Sequence, residues 1–90
     1  MKLESNSHLS TYLIGIESRC RELGLNVEAD RVRSAGRYTI GSPSEFLHQA
    51  QEALKVVLVK GQKVLNAVER EEITSVINQI EKAFANIGGA

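Results

Sequence analysis

Apolar positions along this chain recur at intervals of three and four over most of its length, the spacing of one face of an α-helix. The longest stripe lies in the second half. Turning the chain at about 100° per residue puts Phe46, Leu47, Ala50, Ala53, Leu54, Val57, Leu58, Gly61, Val64 and Leu65 on one side. Glu45, His48, Gln49, Glu52, Lys55 and Lys63 fall on the other. The start is marked by Ser42-Pro43-Ser44-Glu45, a capping box with Ser42 as the N-cap, Glu45 placed to reach back to it, and proline where its missing N–H costs nothing. Gly61 can end this helix as a left-handed cap or lie within it. Because the stripe resumes at Val64 and Leu65, the spacing predicts one helix from Pro43 to Leu65. Gly61 then sits inside, at a cost of about 1 kcal/mol relative to alanine, where it lets a neighbouring helix come close. The run Val56 to Val59 can also be read as a buried strand, but no second strand-like run exists to pair with it.

A second start signal follows at once, with Asn66 as cap and Glu69 three residues on. From there Ile73, Val76, Ile77, Ile80, Ala83, Phe84 and Ile87 form a stripe opposite Glu71, Glu72, Asn78, Glu81 and Lys82, and Gly88-Gly89 stops it. The predicted helices Pro43 to Leu65 and Ala67 to Ile87 are each roughly 30 to 35 Å long, so they match as an antiparallel hairpin.

Upstream, Leu9, Tyr12, Leu13, Ile16, Cys20 and Leu23 predict a helix from about Ser7 or His8 to Leu23, capped by Gly24 with Leu25 folding back. Asn26 is the expected cap of a shorter helix from Val27 to Tyr38. Its buried side, Val27, Ala29, Val32 and Ala35 or Gly36, is made of small residues. Tyr38 to Gly41 connects it to the capping box. The expected fold is all-α: an up-and-down bundle of four helices built on the C-terminal hairpin, with the first helix packed on that hairpin and the short second one bridging. Ninety residues make a single domain, with residues 1–6 and 88–90 expected to be flexible.

Composition then narrows what such a bundle does. Two Phe, two Tyr and no Trp leave a core of Leu, Ile, Val and Ala, which puts a single copy near the stability margin of small domains and makes self-association as a homodimer attractive. Ile14 lies off the apolar stripe of its helix, as do Val59 and, less sharply, Val56. These three are the candidate oligomer or partner surface. Eleven basic and eleven acidic residues cancel, so no global field draws the chain to nucleic acid or an acidic membrane, and dedicated polyanion binding is disfavoured. One cysteine permits no internal disulfide, no secretory signal precedes the first helix, and no apolar run approaches the roughly 18 residues of a membrane span. The expected location is cytoplasmic.

Candidate chemistry is sparse. Arg31, Arg33 and Arg37 lie just upstream of Ser42 and the free N–H groups of the helix it opens, an arrangement suited to a phosphate or carboxylate. Against it, Ser42 and Glu45 already satisfy those N–H groups, and Asp30 with neighbouring acids pairs the arginines. The helices around Gly24-Leu25-Asn26 have the turn of a DNA-binding helix-turn-helix, but Asp30 and Arg33 stand where a recognition helix needs apolar side chains. Glu45, His48 and Glu52 share one face but make an incomplete metal cage. Cys20 sits on an apolar stripe, where a thiol is usually inert, and His8 has no placed partner. No acid-base pair, triad or cofactor fingerprint appears. The expected function is therefore a small interaction or regulatory module that binds a copy of itself and another protein, without catalysis, metal or cofactor. The competing reading is a binder of an anionic ligand or nucleic acid through Arg31, Arg33, Arg37 and Ser42.

Overall fold

A computed structural model describes residues 2–40 and 42–87. It consists of α1 (Asn6–Glu22), α2 (Asn26–Gly36), a 3-10 turn (Arg37–Ile40), α3 (Pro43–Lys60) and α4 (Ala67–Ile87). No strand occurs among the described residues, and Val56 to Val59 lie inside α3. The expected all-α bundle of four helices is what the chain forms. Its long axis, 38 Å, is little more than the length of α4 at about 1.5 Å per residue.

Local chemistry explains each turn. Ser5 caps α1, its Oγ accepting from the His8 N–H at 3.1 Å. At the other end Gly24 adopts φ 79°, a left-handed conformation that glycine takes without steric cost. The Leu25 N–H then reaches the Cys20 carbonyl at 2.8 Å and the Gly24 N–H reaches Arg21 at 3.2 Å, the paired bonds of a Schellman closure. Asn26 does not cap α2. The cap position belongs to Leu25, without a side-chain bond, because the closing turn has already fixed Leu25 where the helix begins. The predicted α-helix to Tyr38 stops at Gly36 and tightens into the 3-10 turn.

The two start signals in the second half part company. Asn66 and Glu69 form a reciprocal capping box: Asn66 N–H donates to Glu69 Oε1 at 2.9 Å and Glu69 N–H to Asn66 Oδ1 at 2.8 Å. Ser42 and Pro43 do occupy the N-cap and first helical positions, yet no side chain caps α3. Ser42 Oγ lies 3.0 Å from Ser44 Oγ, and Glu45 Oε1 accepts from Gln49 Nε2 at 3.0 Å. Nearer partners have taken both arms of the expected box.

Gly61 ends α3 and does not lie within it. It adopts φ −91° and ψ 4°, so it is not a left-handed cap either. Its N–H bonds to Val57 at 2.7 Å, and the Val64 and Leu65 N–H groups return to the Gly61 carbonyl at 3.0 and 2.8 Å. This tight turn folds Leu65 back over Gly61, so the close neighbour is Leu65 of the same turn. The Arg70 guanidinium donates to the Leu65 and Gln62 carbonyls, satisfying groups that the end of a helix leaves open.

α3 is the centre of the packing, burying Phe46, Leu47, Ala50, Gln51, Ala53, Leu54 and Val57. That wide face meets α4 through Ile73, Val76, Ile77 and Ile80, and α2 through Ala29, Val32 and Ala35. Small residues on both α2 and α3 let these helices approach closely. α2 is therefore more than a bridge: it is wedged between α1 and α3, and α1 touches α3 only briefly. The ring closes from α4 to α1 without backbone packing, since no Cα of α1 comes within 8 Å of α4 among the described residues. Ties across that seam include Arg19 Nε to Glu69 Oε2 at 2.6 Å and, just before α1, the Leu3 N–H to Gln79 Oε1 at 2.6 Å. Among the described residues no helix is long and apolar enough to cross a membrane. The expectation for residues 88–90 falls outside the described residues.

Candidate functional surface

Two groups that the sequence leaves unconnected meet in the structure. Along the junction of α1 and α2, a groove of about 200 Å3 is lined by Ser10, Leu13, Ile14 and Glu17 from α1, Val32, Arg33 and Gly36 from α2, and Arg37 from the 3-10 turn that follows. Its floor is apolar, because Leu13 and Val32 belong to the buried core. Ile14, 66 % exposed, stands on the α1 side and the two arginines on the α2 side. Helical spacing explains the lining: Ser10, Ile14 and Glu17 recur at four and three, as do Arg33 and Arg37 at four.

The electrostatics of this groove are one-sided. Asp30, expected beside Arg33 and Arg37, is held by Arg21, whose Nη2 lies 3.0 Å from Asp30 Oδ1 and 2.9 Å from Glu17 Oε2. Those two carboxylates raise the Arg21 pKa, chiefly through the hydrogen bonds they accept. Glu17 and Asp30 thus share one guanidinium, while Arg33 and Arg37 make no ion pair among the described residues. Arg31 is exposed and does not line the groove. Ser42 is also exposed and is bonded to Ser44. The structure thus brings Ile14, Arg33 and Arg37 to one place and leaves Arg31 and Ser42 outside it.

The remaining candidates separate as well. Val59 is 68 % exposed on the last turn of α3, whereas Val56 reaches only 36 %. Three further aliphatic side chains stand out: Val27 at 77 %, Val68 at 71 % and Val64 at 47 %. Val27 had been placed on the buried stripe of the second helix; with α2 starting at Asn26 it lies about 140° from Val32 and faces outward. Val64 had been placed on the stripe of the third helix and is released from it by the turn at Gly61. Val27 opens α2, Val59 closes α3, Val64 lies in the following turn and Val68 opens α4, so all four fall at the same end of the bundle.

His48 packs its ring edge-on against Phe84, with centroids 6.3 Å apart, and so takes part in the α3–α4 contact. Among the described residues no group of three or more His, Cys, Asp or Glu is placed to hold a metal. Cys20 is buried, and that burial raises the pKa of its thiol. At the α1–α4 seam a second groove, about 300 Å3, is lined by Tyr12, Gly15, Ile16, Arg19, Glu69 and Glu72. The Tyr12 hydroxyl is buried there without a hydrogen-bond partner among the described residues, and burial, followed by the nearby Glu72 and Glu69 charges, raises its pKa. Periodicity cannot reveal this group, because it depends on the facing helix. No protein-family model, curated protein or solved structure matches this chain.

Proposed function

We propose that this chain is a small interaction module that works in the cytoplasm, associates with a second copy of itself and presents helical surfaces to another protein. The observation that carries the reading is the exposure of four aliphatic side chains near one end of the bundle, Val27, Val59, Val64 and Val68. They are held on helix ends and a tight turn, where little side-chain or backbone order remains to be lost on association. Exposed apolar side chains gathered on one part of a small protein favour a partner there. A single buried cysteine suits a reducing compartment. No catalytic role is assigned.

Sedimentation equilibrium over the micromolar range tests this reading. A dimer that persists at high salt is expected, because apolar association is not screened, and Val59→Glu should weaken it more than Ile14→Glu. A monomer at every concentration overturns self-association. Anion binding is a second reading, favoured by the Arg33 and Arg37 guanidinium groups, which make no ion pair among the described residues.

A further inference from the structure

The groove between α1 and α2 combines three properties that are each ordinary alone. Its floor is apolar, formed by Leu13 and Val32. One rim carries the exposed Ile14, and the other carries Arg33 from α2 and Arg37, the residue that caps its end, both without carboxylate partners among the described residues. Between those arginines in the chain lies Gly36, which also lines the groove and where an added Cβ would meet none of the described residues within 4 Å.

We infer that this groove takes an amphipathic helix from a partner protein. The helix lays a large aliphatic residue along the groove beside the exposed Ile14, above a floor that Leu13 and Val32 already close, and sets two carboxylates, four residues apart, against Arg33 and Arg37. Carboxylates at that spacing lie on one face of a helix, and each matches the planar fork of a guanidinium. An aliphatic neighbour on the same face covers Ile14, the usual manner in which a helix seats in a groove. Charge sets the sign of the partner. Arg21 offsets one of the two carboxylates it holds, Glu17 and Asp30, so Arg33 and Arg37 leave the rim with a net positive charge that favours an acidic helix over a basic one. A nucleic acid is the poorer fit: it offers phosphates to the arginines but leaves Ile14 uncovered, and a chain with no net charge supplies no wider attraction.

This inference rests on the reading that the protein acts through its helical surfaces, and the experiment separates the two. A displayed library of short helical peptides, randomised on one face, is selected against the full chain. Enriched peptides are then titrated by fluorescence anisotropy. They should carry Asp or Glu pairs four apart beside Leu, Ile or Phe. Affinity should fall on the order of tenfold or more in Arg33→Glu/Arg37→Glu and in Gly36→Leu, which fills the groove. It should be unchanged in Gly15→Leu, a substitution in the other groove, where an added Cβ also meets none of the described residues within 4 Å. Enrichment of basic peptides, an oligonucleotide binding more tightly than the peptides, or indifference to the Arg33 and Arg37 changes overturns the inference. Peptides lost with Val59→Glu and retained in the groove variants overturn it while leaving the interaction module standing. No enrichment together with a monomer in sedimentation overturns both.

Discussion

Replacing Gly61 with alanine sets two opposing effects against each other, and the structure gives the size of each. The backbone at Gly61, φ −91° and ψ 4°, is open to alanine, so the substitution restricts the unfolded chain and on that account stabilises by about 0.4–1 kcal/mol. The new Cβ, however, would lie 2.8 Å from the Val57 carbonyl oxygen and 2.8 Å from Leu65 Cδ1. Neither neighbour retreats easily. The carbonyl accepts the Gly61 N–H at 2.7 Å, and Leu65 is 3 % exposed, walled in by the core. Overpacking of this kind costs about 1–3 kcal/mol, so the expected net loss is about 1–2 kcal/mol. With an unfolding entropy of about 2.1 cal/mol/K per residue, that lowers Tm by roughly 5–10 °C. Thermal and urea unfolding followed by circular dichroism read the change, in the wild type and in a Leu65→Ala background. Leu65→Ala alone costs about 2–5 kcal/mol, and in that background the penalty for Gly61→Ala should shrink because half the clash is gone. A more stable Gly61→Ala, or a penalty independent of Leu65, would refute the turn and restore a helix running on to Leu65.

Three further outcomes follow from the same contacts. Asn66→Ala should lower stability by about 1 kcal/mol in urea unfolding, whereas Ser42→Ala should change it by less than about 0.5 kcal/mol; equal costs would show that both boxes form. Tyr12→Phe removes a buried hydroxyl that has no partner among the described residues and should raise stability by about 1 kcal/mol, so a loss would reveal a bond that the hydroxyl makes in solution. The Glu69 carboxylate accepts from Arg19 and from the Asn66 N–H, which holds its pKa below the usual 4.5. A depressed carboxylate contributes stability above its unfolded pKa and loses it as pH falls through the folded value. The difference in Tm between wild type and Glu69→Gln should therefore be constant above about pH 5 and shrink below it; a difference unchanged down to pH 2 would remove the ion pair from the account.

Much of this architecture was legible because its determinants are local. Asn66 and Glu69 need only each other, and Gly24 with Leu25 needs only the preceding turn, so both could be read from a few residues. The box at Ser42 shows the limit of that method: its pattern is equally good, but Ser44 and Gln49 offer shorter alternatives that a motif does not weigh. Leu65 exposes a second limit. An apolar residue in register reaches the core either by continuing the helix or by folding back over a glycine, and periodicity is the same for both.

The candidate groove was legible only in fragments. Ile14 stood out on its own helix and Arg33 and Arg37 on theirs, but which faces of α1 and α2 meet is a tertiary fact. It is fixed by the Schellman closure at Gly24 and by Arg21 reaching both Glu17 and Asp30. The redirection of Asp30 to Arg21 also leaves Arg33 and Arg37 without a carboxylate among the described residues, and no spacing rule within α2 could have anticipated it.

The way the helical ring is joined has a consequence for how the molecule fluctuates. Three of its four junctions are packed backbone against backbone, while the first and last helices meet through side chains alone, the Arg19–Glu69 ion pair among them. Thermal opening should therefore begin there, as a zipper parts at its loosest teeth, with α1 swinging away while α3 and α4 stay locked. Amide protons of α1 would then exchange with solvent sooner than those of α3, and the transiently unlatched form would expose the inner side of Tyr12 before any global unfolding.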